Sequence, residues 1–439
     1  MDIRRKRRDR AHMTIALRGY CLFLTFSAFA YPFWFNLIGV VGAMTLSIAT
    51  TVISVAIGIA GRRKLHGDRW TVARLTPVLL YLGAAAVSLV WSDWPLTTLL
   101  TVIVQASFVV QALFLARVNT DEELLRLVEI ATTAVVVLSV AIESAIAIVG
   151  TPLLPVFIDG PVGDDPHIYW VRGNLFEGFL TGGRIQGIVG NSNLLATICV
   201  VALVVLTFRL LTTRQMIAPR SVAILLALWL LIRASSAAMF VAVLALAALA
   251  LVVLLRRRLV TQREQRWFAI VTTAATALVT AVLLLGRDLL FSSLGRSDSL
   301  TGRTEIWEAV WERAVGSPLI GHGYASPWIP WDPAFSGWII DHELTVFYAH
   351  NMWLDVFLQL GILGVVLIAL LYGTALIRSW RLAVAPGTTL SALIPLLLIA
   401  LLLIQGLTES VPIMYWGLGM VCAIATRKTP ARTLTREGR

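Results

Sequence analysis

The sequence predicts an all-α, polytopic membrane protein of about twelve transmembrane helices, and three observations carry that prediction. Of its 439 residues 58% are hydrophobic and only 14% charged, with a mean hydropathy of +0.82; soluble chains carry roughly 25% charged residues. Apolar runs of roughly 18 to 25 residues recur, which is the length needed to cross the hydrocarbon core of a bilayer. The basic residues gather in short connections between those runs, as they do in cytoplasmic loops. That distribution argues against a nucleic-acid partner despite a net charge of +11. The three cysteines, Cys21, Cys199 and Cys422, each sit inside an apolar run without metal-ligand spacing and read as membrane-core residues.

Taken in order, the apolar runs lie near residues 14–33, 38–60, 71–91, 95–116, 126–149, 192–210, 220–234, 236–255, 267–286, 350–376, 390–407 and 410–426. The basic opening MDIRRKRRDRAH is expected to stay in the cytoplasm, and the first helix, although it contains Ala28-Phe29-Ala30, is expected to remain uncleaved. Alternating from there puts RRKRRDR, GRRKLHGDR, RVNTDEELLR, RLLTTRQMIAPR, RRRLVTQREQR, IRSWRLAVAPG and RKTPARTLTREGR all inside. Every strongly basic segment then falls on one side, which places both termini in the cytoplasm. The whole chain, 1–439, reads as a single transmembrane domain with two sizeable outer loops, 150–191 and 287–349.

Any chemistry must then sit in those loops or at the outer helix ends. The chain has no GxxxxGK[ST] phosphate loop, no HExxH zinc pair and no Asp-x-Asp metal site for a sugar nucleotide, so neither a nucleotide cofactor nor a metal is indicated. In TGGRIQGIVGNSNLLA, Gly182 and Gly183 flank Arg184, and Asn191 and Asn193 lead into the sixth run. A guanidinium there suits a phosphate oxygen or, as the plainer alternative, reaches to lipid headgroups. In the second loop GRTEIWEAVWERAVGSPLIGHGYAS places Ile306, Trp307, Val310, Trp311 and Ala314 at helical spacing. That is an amphipathic helix, expected flat on the outer leaflet with its tryptophans among the headgroups. Arg303 falls in its expected first turn, where free backbone N–H groups favour an anion. The following PLIGHGYASPWIPWDPAFSGW is an irregular aromatic loop that fits either a sugar-binding surface or an interfacial belt. Asp332, Asp341, His342 and Glu343 are its candidate acids and bases, or solvated loop charges. His350 and Asn351 stand at the outer mouth of the tenth run, where a neutral imidazole can accept a proton near neutral pH or simply start the helix.

These residues occur in an order that resembles a known family. His350-Asn351, nine residues, and Gly361-Ile-Leu-Gly364 match the H-N-x9-G-x-x-G pattern of the O-antigen ligase and O-antigen polymerase family. The run Gly302, Arg303, Trp307, Pro318, Leu319, Gly321, Gly323 resembles the same family, as do Arg184, Asn191 and Asn193, so that the similarity covers roughly 180–372, including the loop 287–349. Where many relatives carry a Ser-Arg pair, this chain reads Leu-Ile-Arg233-Ala-Ser235-Ser236, which offers Arg233 as a third cation. The resemblance implies a membrane glycosyltransferase acting on the outer face of the cytoplasmic membrane, in surface or exopolysaccharide biosynthesis. Its donor would be an undecaprenyl-pyrophosphate-linked glycan, already activated, and its acceptor a glycan or a lipid-anchored hydroxyl. By the same resemblance Arg184, Arg303 and His350 would be catalytic, with Asn191, Asn193, Arg233, Trp307 and Asn351 around the substrate. Glu129, Glu143, Asp355 and Glu409, in or near apolar runs, support a rival reading as a twelve-span secondary transporter, which should show ionisable groups at the midplane of two repeats.

The topology is checked by cysteine labelling of whole cells. A cysteine at Asp332 is expected to react with an impermeant thiol reagent and one at Arg263 is not; the reverse pattern would invert the orientation.

Overall fold

The computed structural model describes residues 2–60, 72–158, 168–174, 183–213, 215–285, 298–341 and 344–427. Gly182, His342, Glu343 and the basic stretches 61–69 and 428–439 lie outside them. Among the described residues thirteen α-helices follow in order. They are α1 (Asp2–Phe29), α2 (Tyr31–Ala60), α3 (Val72–Val87), α4 (Pro95–Val118), α5 (Asp121–Val149), α6 (Ser192–Thr212), α7 (Ile217–Ala234), α8 (Ala237–Arg258), α9 (Gln262–Leu285), α10 (Asp298–Ala314), α11 (Met352–Ala383), α12 (Ile394–Gln405) and α13 (Tyr415–Thr426). Eight of these segments are long and apolar enough to cross a membrane, and 15–29, 390–405 and 415–426 are shorter apolar helices. Among the described residues one small antiparallel pair of strands, β1 (Ile340–Asp341) with β2 (Leu344–Thr345), accompanies the helices.

α6 is the buried axis of the bundle, with Leu195, Ile198, Cys199, Val200, Val201 and Val205 fully enclosed. α5, α7, α8 and α12 pack around it, while α13 packs on α4 and α11. Because apolar packing is non-directional, the polar residues inside the spans fix which helices meet. Glu129 of α5 accepts from Arg209 of α6 and, at 2.6 Å, from Arg220 Nε of α7. Glu143, further along α5, accepts the backbone N–H groups of Gln186 and Gly187 at 3.1 and 2.9 Å and so seats the turn that precedes α6. The pairing of Glu129 and the two backbone bonds to one oxygen of Glu143 lower the large cost of an isolated buried charge.

The loop after α10 is fastened to α11 by backbone pairing. α11 breaks at Gly361 (φ 60°), and the loop inserts its own backbone there. His322 N and Gly323 N donate to the carbonyls of Leu358 and Gln359, while Ile362 N and Leu363 N donate to those of Pro318 and Leu319, at 2.9–3.2 Å. A Cβ on Gly361 would stand 2.4 Å from the Leu319 carbonyl carbon, and one on Gly321 2.3 Å from that of Gln359. The HN-x9-GxxG spacing therefore serves a loop threaded against a broken helix, rather than the close helix–helix approach that small residues three apart suggest.

Two expectations about α10 change. The helix begins at Asp298, so Arg303 lies in its second turn and beyond the free N–H groups of the helix start. The helix is no free surface helix either: Ile306, Val310 and Ala314 pack with Trp94, Trp328 and Phe335 in a second apolar core. Trp307 packs at the edge of that core, while exposed Trp311 stacks on Phe357 of α11. Much of the aromatic loop is likewise structural: Arg313 lies over the rings of Trp94 and Trp338 at 4.8 and 4.6 Å.

Gly361→Ala and Gly321→Ala are each expected to lower the thermal midpoint in detergent, costing about 1–3 kcal/mol or more through overpacking and a left-handed backbone. Gly373→Ala, with open space around its Cα, is expected to leave the midpoint unchanged.

Candidate functional site

Four chain segments meet at the end of the bundle where α6 and α11 begin. Asn191 caps α6, its Oδ1 accepting from Leu194 N at 3.0 Å, and this presents Asn193 in the first turn. Asn351 caps α11 in the same way, accepting from Trp353 N and Leu354 N. His350, just before that cap, takes the left-handed backbone (φ 49°), a conformation that costs a non-glycine residue roughly 1–3 kcal/mol and persists where the surroundings impose it. Here Met352 N donates to Gly406 O at 2.8 Å and Asn351 Nδ2 reaches Leu407 O at 3.5 Å, tying this corner to the segment between α12 and α13.

That segment carries Glu409, and Glu409 is the centre of the site. Its Oε1 accepts from Asn193 Nδ2 at 2.9 Å and from Arg303 Nη2 at 2.9 Å. Its Oε2 lies 3.1 Å from His350 Nδ1. Asn193 Oδ1 in turn accepts from Arg184 Nη2 at 2.6 Å, while Arg184 Nε donates to Ala234 O at 2.9 Å. Arg184, Asn193, Arg303 and His350, separated by up to 166 positions in sequence, thus form one network around a single carboxylate.

The electrostatics follow from this geometry. The Glu409 side chain is 6% exposed, whereas Arg303 and His350 each keep 23%. Burial pushes the Glu409 carboxyl up, but His350, Arg303 and the Asn193 amide together outweigh burial and hold it below the usual carboxylate range. Glu409 is therefore an anion at neutral pH and only an acceptor. His350 Nδ1 must then be the donor, which leaves the Nε2 lone pair of a neutral ring directed elsewhere. The Tyr348 ring lies 4.5 Å from the imidazole, and burial with the Glu409 charge raises its phenol, so it stays protonated.

The remaining expected residues serve placement. Arg233 is buried; its Nη2 donates to Asn174 O at 2.5 Å and its own carbonyl accepts from Ile185 N at 3.2 Å, so it pins the segment between α5 and α6. Trp307 belongs to the edge of the second core. Asp332 accepts from Thr97 Oγ1 at 2.6 Å and from Ala334 N at 2.9 Å, and Asp341 is exposed in β1. Among the described residues no three His, Cys, Asp or Glu side chains gather as metal ligands.

A cavity of about 290 Å³ opens beside the network, lined by Tyr31, Phe35, Asn191, Trp331, Tyr348 and Glu409 among others. Sequence reasoning missed Glu409 and Tyr348 as site residues. The available signal was the lone acid in QGLTESVPI, placed outside by the span count, but its partners lie 59 to 216 residues away.

Glu409→Ala is expected to destabilise the protein by about 3–5 kcal/mol, because it leaves buried donors around a vanished anion. Glu409→Gln isolates the charge. A carboxyl held low in the folded state stabilises fully above its unfolded value, about 4.3, and that contribution is lost as the pH falls through the folded value. The acid loss of thermal stability below about pH 4 should accordingly be shallower in Glu409→Gln than in the parent.

Comparison with known proteins agrees with this part of the chain. Residues 222–369 match the O-antigen ligase family, a stretch that contains Arg303, His350 and Asn351. The exopolysaccharide production protein ExoQ of Rhizobium meliloti (strain 1021) is 29% identical over 107 residues. That alignment covers 23% of this chain and 23% of the relative's length.

Proposed function

We propose, from the premise that residues 222–369 form an O-antigen ligase domain, that this multi-pass membrane protein is a glycosyltransferase of surface or exopolysaccharide biosynthesis. It transfers or polymerises a glycan carried on undecaprenyl pyrophosphate, at the outer face of the cytoplasmic membrane, in a twelve-span chain with both termini inside. The observation that carries this reading is the convergence of Arg184, Asn193, Arg303 and His350 on Glu409 beside an open cavity. The functional core is accordingly 180–372 together with Glu409.

The roles follow from the chemistry of the groups. Arg303 spends one N–H edge on Glu409 and turns the rest of its fork to the donor pyrophosphate, with Arg184 beside it. His350 Nε2 takes the proton of the acceptor hydroxyl as that oxygen bonds to the anomeric carbon. The bond from that carbon to the pyrophosphate oxygen breaks, and the leaving oxygen keeps the electron pair. Its charge grows in the transition state, where fixed guanidinium groups stabilise it more than in the ground state. Glu409 holds the Nδ1 proton and steadies the imidazolium that forms, as a carboxylate does behind a catalytic histidine. Because the leaving group is present from the start, no step calls for a nucleotide or a metal.

A deletion strain read on envelope-glycan gels separates the acceptors: single repeats without long chains mark a polymerase, free polymer marks a ligase. An unchanged profile would return the reading to a secondary transporter. With purified protein and lipid-linked donor, turnover is expected in EDTA without ATP; full inhibition restored by a divalent ion would overturn metal independence. His350→Ala should lower the rate by roughly 10²- to 10⁴-fold while the protein still inserts and purifies. His350→Gln, which cannot take up a proton, should be equally impaired. Arg303→Lys should fail as well, since an ammonium lacks the two-pronged grip. Near-normal transfer by both His350→Ala and Arg303→Ala would sink the mechanism.

A further inference from the structure

A second cavity, of about 550 Å³, lies at the other end of the bundle between α1, α4, α5, α11, α12 and α13. It is within the roughly 300–1,000 Å³ typical of small-molecule sites. Its walls are apolar, with Phe108, Leu115, Val128, Leu382, Leu398 and Ile424 among them. Its rim is charged, and most of those charges are already matched. Asp121 pairs with Arg427, and Glu122 with Arg209 at 2.6 Å. Arg378 is left over: its Nη1 is buried and has no hydrogen-bond partner. Arg74, on α3 packed against α11, is close enough to repel it and also has a buried Nη1 without a partner. Ser379, 2% exposed and also lining the cavity, has an unpartnered Oγ. The Arg378 guanidinium and the Ser379 hydroxyl thus line the cavity with polar atoms unpartnered, where each unmade bond to a charged group costs heavily, and Arg74 adds positive charge behind them.

We propose that this cavity holds one anionic phospholipid, its phosphate against Arg378 and Ser379 in the field of Arg74, and one acyl chain along the apolar walls. The complementarity names the occupant. A phosphate supplies acceptors for Arg378 and Ser379 and relieves the repulsion between the two arginines. An apolar tail fills the space that water would occupy at a cost. Arg378 lies 28 residues beyond His350 on α11, on the order of 40 Å along a helix, so the site stands near the opposite membrane surface from the Glu409 network. Basic pockets between spans on that side suit anionic headgroups. The site is independent of the glycan chemistry proposed above.

The test is native mass spectrometry of the purified full-length protein with phosphatidylglycerol and with phosphatidylcholine of the same chains. One phosphatidylglycerol per chain should bind at least about ten-fold tighter than phosphatidylcholine, and Arg74→Gln/Arg378→Gln should remove that preference. Leu382→Trp, which fills the cavity and keeps both arginines, should weaken phosphatidylglycerol by a similar factor. It also serves as the reading should the double variant not purify as a single species. Equal binding of the two lipids, or unchanged preference in the arginine variants, overturns the proposal. So does displacement of the lipid by inorganic phosphate at matched concentration, because it would mean that the tail contributes nothing.

Discussion

The Glu409 carboxylate is where the architecture and the proposed chemistry meet. Three donors from three distant segments end on its two oxygens: Asn193 at the start of α6, Arg303 on α10 and His350 before α11. A buried anion is tolerable only when it is bonded to such groups, so the requirement to satisfy Glu409 also brings these three segments into one position. The same interaction sets the tautomer of His350 and ties one edge of Arg303 to the buried carboxylate. The left-handed backbone at His350 belongs to this arrangement, because the cap at Asn351 and the tie from Met352 to Gly406 impose it.

Around that centre the bundle handles its intramembrane acids one by one. Glu129 is neutralised by Arg209 and Arg220. Glu143 is spent on two backbone N–H groups. Asp355 accepts from the Trp328 indole and the Gln359 amide at 3.1 and 2.7 Å, which joins the aromatic loop to α11. A transporter needs ionisable groups available along a path and in corresponding places of two repeats. Here each acid is committed to a local structural duty, and the four sit in unrelated surroundings. Of the acids that supported the transporter reading, Glu129 joins three helices, while Glu143, Asp355 and Glu409 hold connecting segments to helices.

The loop between α10 and α11 shows why a motif can be legible while its purpose is not. Gly321, Gly361 and the intervening spacing are visible in the sequence, and small residues three apart suggest two helices in contact. The actual partner is a non-helical backbone, accepted because the break at Gly361 frees carbonyls and N–H groups that must find partners inside the protein. Arg313 and the aromatic residues have the same lesson. Trp94, Trp328 and Phe335 are almost wholly buried in the second apolar core, and Trp328 and Trp331 also line the cavity.

By itself the sequence determined the helical, membrane-embedded character of the chain, because hydropathy and run length act locally and a bilayer admits few alternatives. It also marked His350, Arg303, Arg184 and Asn193, since polar residues between apolar runs stand out. Only the tertiary structure decided which of those residues touch. It assigned Asn191 and Asn351 to capping, Arg233 to pinning a loop and Trp307 to a core, because capping and packing depend on where a helix begins and what lies against it. It also brought forward Glu409, whose meaning lies in partners up to 216 residues away. Periodicity and spacing record what neighbours in sequence share; a carboxylate that collects its donors from three remote segments leaves no such record.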